Sequence, residues 1–305
     1  MKYLNSFNSY YRSKYGQRVD KIALSLGLEC PNRSKGGCIY CSPVGFTPYY
    51  LKPVESIKSQ LRKGKEFLKT KKSKLYFAYF QQETTTASTK DILTNSIKIP
   101  LSDPDCVGII VSTRPDYIEI EFLEIIQKFK NKRPEKEFLI ELGLQSSCEA
   151  SLKYINRNHS FSDYTNAMGR IKNYPFIERG VHLIFGIPGE DFLTFQKTLN
   201  DVIESDINYI KIHHLQVVKG TPLEEIYKNN SFELFGFNEY LTILCKIIPY
   251  IPENIIIHRL WSNSTKDILI GPKWRKRSYE IQKELEKMLK SKKLWQGKNV
   301  TMEKN

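Results

Sequence analysis

Short apolar runs alternate with longer amphipathic ones along the first three quarters of the chain. The runs at 22–28, 74–80, 107–112, 138–145, 180–185 and 210–217 are dense in Ile, Leu, Val, Phe and Tyr and read as strands. The segments 54–69, 88–97, 118–130, 164–172, 192–205 and 223–228 repeat their apolar residues at helical spacing. Near-continuous apolar strands separated by helical spacers are the pattern of parallel βα units, whose sheet is covered on both faces. Six such units without a glycine-rich nucleotide fingerprint predict an α/β fold, a partial TIM-like (β/α)6 barrel with its chemistry at the C-terminal ends of the strands. The pattern leaves a doubly wound open sheet as the alternative.

Beyond Pro222 the pattern changes. A helix over 237–248 ends at Pro249, a short strand follows at 255–258, and a basic cluster at 273–277 opens a charged helix that runs to 293. This predicts an N-terminal extension over 1–20, a barrel over 21–230 and a basic C-terminal α/β appendage over 231–305. No apolar run reaches the roughly 18 residues that span a bilayer. Residues 1–15 are polar and aromatic and lack the apolar core of a signal peptide. A cytoplasmic protein with no membrane partner is therefore expected, in a compartment where the six cysteines stay reduced.

Charge changes the picture next. The net +14 is uneven: residues 1–80 carry +12, residues 266–305 carry +7 and the stretch between is mildly acidic. Lysine-rich stretches are often only solvated surface. Two basic ends on an acidic centre suit a polyanion laid across one side of the molecule.

The candidate chemistry begins directly after the first strand. Cys30, Cys38 and Cys41 are spaced C-x7-C-x2-C, with Gly36 and Gly37 between them to let the loop turn tightly. Thiolates are the usual ligands of iron–sulfur clusters. Three of them leave one iron of a [4Fe–4S] cluster open to a small molecule with an amine and a carboxylate, such as the methionine end of S-adenosylmethionine (SAM). An electron from the cluster can then break a carbon–sulfur bond and release a 5′-deoxyadenosyl radical, chemistry that belongs to the cofactor while the protein aims it. Tyr40, between the last two cysteines, can lie against the adenine. A structural zinc knuckle is the alternative, but it wants four ligands and no histidine is near. Cys106, Cys148 and Cys245 sit singly in or beside apolar segments and read as small core residues.

With these residues in view, the sequence resembles the radical SAM superfamily, and within it the bacterial branch related to the catalytic subunit of the elongator complex. The resemblance rests on the widened cysteine spacing and on five further motifs in order. These are Ser112-Thr113-Arg114-Pro115-Asp116, Glu141-Leu142-Gly143-Leu144-Gln145-Ser146, Asn156-Arg157-Asn158-His159, His182 to Glu190, and Val218-Lys219-Gly220-Thr221-Pro222. It implies that Gln145 hydrogen-bonds SAM and that Arg157 pairs with its carboxylate, for which a guanidinium fork is well shaped. It implies further that Ser112 and His182 approach the ribose and that Leu215 to Val217 line the adenine pocket. The Gly-Gly-Glu segment that grips the SAM amine in relatives is missing; Gln81 stands in its place as the candidate. Glu141, if inward, and whichever of His213 and His214 faces the lumen are candidate catalytic groups, since neighbours on a strand point to opposite faces.

The resemblance also bears on substrate. Elongator relatives carry an acetyltransferase domain that this chain is too short to contain, so acetyl transfer is not implied. A transfer RNA (tRNA) wobble uridine is the expected target. Lys273, Arg275, Lys276 and Arg277 would then touch phosphates, with Trp274 stacking, and a flavodoxin or ferredoxin would donate electrons. The competing readings are a radical SAM oxidoreductase on a small molecule, as in the porphyrinogen oxidases that share the Gln145 and Arg157 pattern, and an RNA-binding protein with a purely structural cluster.

Overall fold

The computed structural model describes residues 3–42, 45, 47–48, 50–51, 55–229, 232–262, 264 and 267–300. The starts of the helix expected from 54 and of the appendage expected from 231 lie outside the described residues. The elements follow the expected alternation: α1 (Phe7–Tyr15), β1 (Val19–Leu24), α2 (Ile57–Thr70), β2 (Leu75–Phe80), α3 (Lys90–Leu101), β3 (Cys106–Thr113), α4 (Ile120–Lys132) and β4 (Glu137–Gln145). Then come α5 (Glu149–Tyr154), α6 (Phe161–Lys172), β5 (Ile177–Phe185), α7 (Phe192–Glu204), β6 (Tyr209–His214), β7 (Val217–Val218) and α8 (Pro222–Lys228). The chain closes with α9 (Phe237–Ile247), β8 (Ile256–Arg259), β9 (Leu269–Gly271) and α10 (Ser278–Ser291).

Seven strands form one parallel sheet in the order β1-β2-β3-β4-β5-β6-β8. The short strand expected in the appendage is thus the seventh strand of the barrel sheet. The two edge strands nearly meet, because Lys21 Nζ on β1 lies 3.2 Å from His258 Nδ1 on β8. Such a contact between the edges requires the sheet to curl, giving a partial TIM-like barrel with a small C-terminal appendage. Alternate side chains divide the core in two. Ile22, Ala78, Ile109, Ile140, Leu183 and Ile210 point outward against the helices, and Val19, Phe77, Ile110, Leu139 and Tyr209 fill the lumen. Gly180 on β5 leaves room for this filling, since a Cβ there would come within 2.0 Å of the Tyr209 ring.

Residues 3–15 do not stand apart as an extension. Ser6 forms a parallel bridge with Ile257, and Asn5 accepts the Ile257 N–H, so the segment continues the sheet past β8. The helix α1 packs on both β1 and β8. Its Phe7 and Tyr11 rings pack against Phe77 at centroid distances of 5.9 and 4.8 Å, sealing the bottom of the lumen. Strand β6 is shorter than the run 210–217 suggests. The chain leaves the sheet after His214, and Val217–Val218 pair antiparallel with β9 instead. No helix among the described residues is long and apolar enough to cross a membrane.

Candidate active site

At the C-terminal ends of the strands lies a cavity of about 510 Å³ whose walls include all three loop cysteines. A short 3-10 turn, Pro31–Lys35, follows Cys30, and Gly36 and Gly37 take the left-handed conformation that returns the chain to Cys38. Among the described residues no three His, Cys, Asp or Glu side chains cage a single metal ion. The cysteines meet as part of the wall of an open cavity.

The Asn156-Arg157-Asn158-His159 segment holds this loop in place. Asn156 and Asn158 both have positive φ, which asparagine tolerates better than most residues. Asn156 Nδ2 donates to the carbonyls of Lys35 (3.0 Å) and Gly37 (2.6 Å). Asn158 Nδ2 donates to Asn32 Oδ1 at 2.9 Å, and Asn32 Nδ2 donates to the Asn156 carbonyl at 2.9 Å and to Cys38 Sγ at 3.2 Å. Arg157 is buried; it donates to the Gly143 carbonyl and, at 3.5 Å, to Cys38 Sγ. His159 Nε2 lies 2.8 Å from Arg157 Nε. Burial and the Arg157 charge push the His159 imidazole down to about 4, so it is neutral and accepts that N–H. Arg114 supports the segment from beneath, forking onto Asp116 at 2.9 Å and donating to the Arg157 and Asn158 carbonyls at 2.8 Å. Three of the motifs met in the sequence therefore form one brace for the cysteine loop.

Other expected residues distribute as follows. Tyr40, Gln81, Ser112, Gln145, His182, His213 and Leu215 all line the cavity with the cysteines. Gln145 has φ 79°, at a register shift between β4 and β5, and its buried Oε1 has no partner. Gly143 makes room beside it, because a Cβ there would lie 2.6 Å from Arg157 Nη2. Val217 is buried in β7 and packs with Ile155, Ile184 and Leu223; Val218, its neighbour, lines the cavity in its place. Burial and the neighbouring Cys38 push the Cys41 thiol up to about 12, so a ligating metal would have to displace its proton.

Two of the expected residues, His214 and Trp274, pack on each other. His213 faces the lumen, its ring 4.2 Å from His182, while His214 packs against Trp274 at 4.0 Å and still lines the cavity, its Nε2 3.3 Å from Gln216 Nε2. Trp274 is half-buried by this contact. It also lies against Tyr240 and Phe237, and its Nε1 donates to the Phe235 carbonyl at 2.9 Å. Lys273, Arg275, Lys276 and Arg277 around it are exposed. The basic N-terminal part contributes less to this end than its charge suggests. Lys69, Lys71, Lys72 and Lys74 cluster where α2 turns into β2, at the opposite end of the barrel from the cavity.

Beneath the cavity runs a polar network that the sequence reading caught only in part. Glu141 is fully buried; its Oε1 accepts from Tyr79 Oη at 2.7 Å, Lys211 Nζ at 3.0 Å and Ser112 Oγ at 3.3 Å. Burial would push the carboxyl up, but Lys211, His182, Lys21 and His258 outweigh it and hold it well below the usual range. Burial pushes the His182 and His213 imidazoles well down, and the Nε2 of each is without a partner. Lys21, Tyr79, Lys211 and His258 were missed. Their signal was a polar residue at an inward position of an otherwise apolar strand. Glu83 and Arg33, ion-paired at 3.0 Å on the cavity rim, were missed as well.

The donor set fits an iron–sulfur cluster with a small-molecule partner: three thiols on one loop, N–H groups aimed at a sulfur, and the unpartnered Gln145 amide oxygen beside the buried Arg157 guanidinium in the adjoining wall. Comparison with known proteins agrees. The signature of the Radical SAM superfamily matches residues 25–202, and that of the Radical_SAM C-terminal domain matches residues 207–291. The uncharacterized protein YtqA of Bacillus subtilis (strain 168) is 30% identical over 303 residues, spanning 97% of this chain and 92% of its own. The tRNA uridine(34) acetyltransferase of Methanocaldococcus jannaschii is 24% identical over 168 residues, which is 54% of this chain and 30% of that protein. Among solved structures, the archaeal Methanocaldococcus infernus Elp3 with an N-terminal deletion superposes with a TM-score of 0.68 at 18% identity, over 90% of this chain and 63% of that one. The chain belongs to the radical SAM superfamily, in a branch related to elongator, and is an enzyme whose cofactors are a [4Fe–4S] cluster and SAM.

Proposed function

We propose that this radical SAM enzyme modifies a tRNA, with the wobble uridine as its target. The cluster is held by Cys30, Cys38 and Cys41, and SAM is held by Gln145 and Arg157. The cofactors supply one-electron cleavage of SAM and hydrogen abstraction. The chain's own residues bind, orient and exclude water. The lumen network of Glu141, Lys211, His182 and His213 faces the reacting end of the substrate.

The observation that carries the RNA reading is the basic loop 273–277. It leaves β9, the partner of β7, and Val218 of β7 lines the cavity. Trp274 pins it against His214 at the C-terminal end of β6, on the cavity side of the barrel. Among the described residues, none of Lys273, Arg275, Lys276 or Arg277 is ion-paired. Exposed cations beside a catalytic mouth suit phosphates. A nucleotide must leave its stack to enter such a cavity, and an anticodon loop presents one at small cost. The M. jannaschii relative named for tRNA uridine(34) favours the same substrate class. A soluble one-electron donor of the flavodoxin or ferredoxin kind completes the partners.

The test is tRNA affinity across salt concentrations, wild type against Arg275→Glu with Arg277→Glu, alongside nucleoside mass spectrometry of a deletion strain. Affinity that falls steeply with salt, a weakened double variant and one altered modified uridine are expected. A flat salt response, an indifferent variant and an unchanged nucleoside profile would contradict the proposal and favour a small-molecule substrate.

A further inference from the structure

The brace around the cysteine loop treats the three sulfurs unequally. Cys38 is buried, and its Sγ receives two N–H donors, Asn32 Nδ2 at 3.2 Å and Arg157 Nη1 at 3.5 Å. Cys30 Sγ meets the Thr84 hydroxyl at 3.2 Å. The Asn32 amide is 3% exposed and completely committed. Its oxygen accepts from Asn158, one N–H goes to the Asn156 carbonyl and the other to the sulfur. That pattern settles which end of the amide faces Cys38: a flipped amide would set its oxygen against both a carbonyl and a sulfur. Asn158 therefore aims the donor, and Asn32 delivers it.

We infer that Asn32, oriented by Asn158, is a positioning residue that raises the reduction potential of the cluster through its N–H bond to Cys38. This rests on the reading of Cys38 as a cluster ligand. The electron that enters a cluster increases the negative charge shared by its sulfurs. An N–H dipole aimed at a ligand sulfur stabilises the reduced state more than the oxidised one, and so shifts the potential upward. The same bond explains why a buried asparagine sits two residues after Cys30, on a turn where an apolar residue would satisfy packing alone. An apolar side chain there would remove one partner each from the Asn156 carbonyl and from the Asn158 amide, which also donates to Asn156 Oδ1.

The experiment is an EPR-monitored redox titration of anaerobically reconstituted protein without SAM, with iron and sulfide assayed in parallel. Asn32→Ala removes the donor. Asn158→Gly keeps the left-handed backbone and removes the group that aims it, together with that group's bond to Asn156 Oδ1. Both variants are expected to retain four irons and four sulfides per chain and to show a lower midpoint potential, with the larger fall in Asn32→Ala. Wild-type potentials in both variants would overturn the inference. So would loss of the cluster in both, which would mark the network as loop scaffolding only. A Cys38→Ala variant with a normal cluster would instead overturn the ligand reading on which it rests.

Discussion

Lys211 Nζ lies 3.0 Å from Glu141 Oε1 inside the barrel, with 7% and 0% of the two side chains exposed. The partners sit on β6 and β4, with β5 between them, so the pair ties three strands across the lumen. Breaking a buried pair by removing one partner leaves an uncompensated charge and costs about 3–5 kcal/mol. Glu141→Gln should therefore unfold at a clearly lower urea concentration than wild type near pH 7. The pH dependence has a definite sign. A carboxyl whose folded pKa is depressed contributes stability above its unfolded value, about 4.3, and loses it as pH falls towards the folded value. The gap between wild type and Glu141→Gln should shrink below about pH 4. A gap constant from pH 3 to 7 would contradict the assignment.

Lys21 carries a linkage of the same sign in a higher pH window. Burial pulls its ammonium down to about 7, against the attraction of Glu141. It packs 4.1 Å from the Phe7 ring centroid and 3.2 Å from His258 Nδ1. Between pH 7 and its unfolded value near 10.4 the unfolded chain binds the extra proton, so stability rises with pH across that window. Lys21→Met should abolish this contribution. Unfolding free energies of both proteins at pH 7, 8 and 9 should converge as pH rises; parallel curves would refute the burial account.

The cavity wall makes a prediction about SAM. Arg157→Ala and Gln145→Ala should each weaken SAM binding roughly tenfold to hundredfold, the worth of a charge-assisted contact of about 1.5–3 kcal/mol, with iron content unchanged. Gly143→Ala should resemble Arg157→Ala, because its Cβ would displace the guanidinium. Equilibrium binding to the reconstituted variants decides it, and unchanged affinity in all three would mean that SAM lies elsewhere.

These residues also mark how far the sequence could be read. The six strands of the βα series were legible because both sheet faces are covered, which makes each run nearly continuous in apolar residues. The cysteine loop and Arg157 were legible from spacing and motif. The role of α1 was not, because Phe7 and Tyr11 fill the bottom of the lumen through contacts with strands far along the chain. Lys21, Tyr79, Lys211 and His258 escaped for a related reason. Only the closed curl of the sheet brings side chains from β1, β2, β6 and β8 together, and no local pattern encodes that meeting. The packing of Trp274 on His214 was not legible either, since the two meet only in the fold.

Trp274→Ala tests that packing. With its half-buried indole packed on His214 and hydrogen-bonded to the Phe235 carbonyl, truncation should cost about 2 kcal/mol, less than for a fully buried aromatic. Thermal unfolding should show this without any RNA present. A variant as stable as wild type but weakened in tRNA binding would place Trp274 on the RNA surface.

The central claim is that Cys30, Cys38 and Cys41 carry a cluster that cleaves SAM. The direct measurement is 5′-deoxyadenosine formed by anaerobically reconstituted protein given SAM and a strong reductant, for wild type and for Cys30→Ala, Cys38→Ala and Cys41→Ala. Wild type should assemble four irons and four sulfides and release 5′-deoxyadenosine with methionine, and each variant should release none. Zinc in place of iron, or undiminished 5′-deoxyadenosine from the cysteine variants, would contradict it.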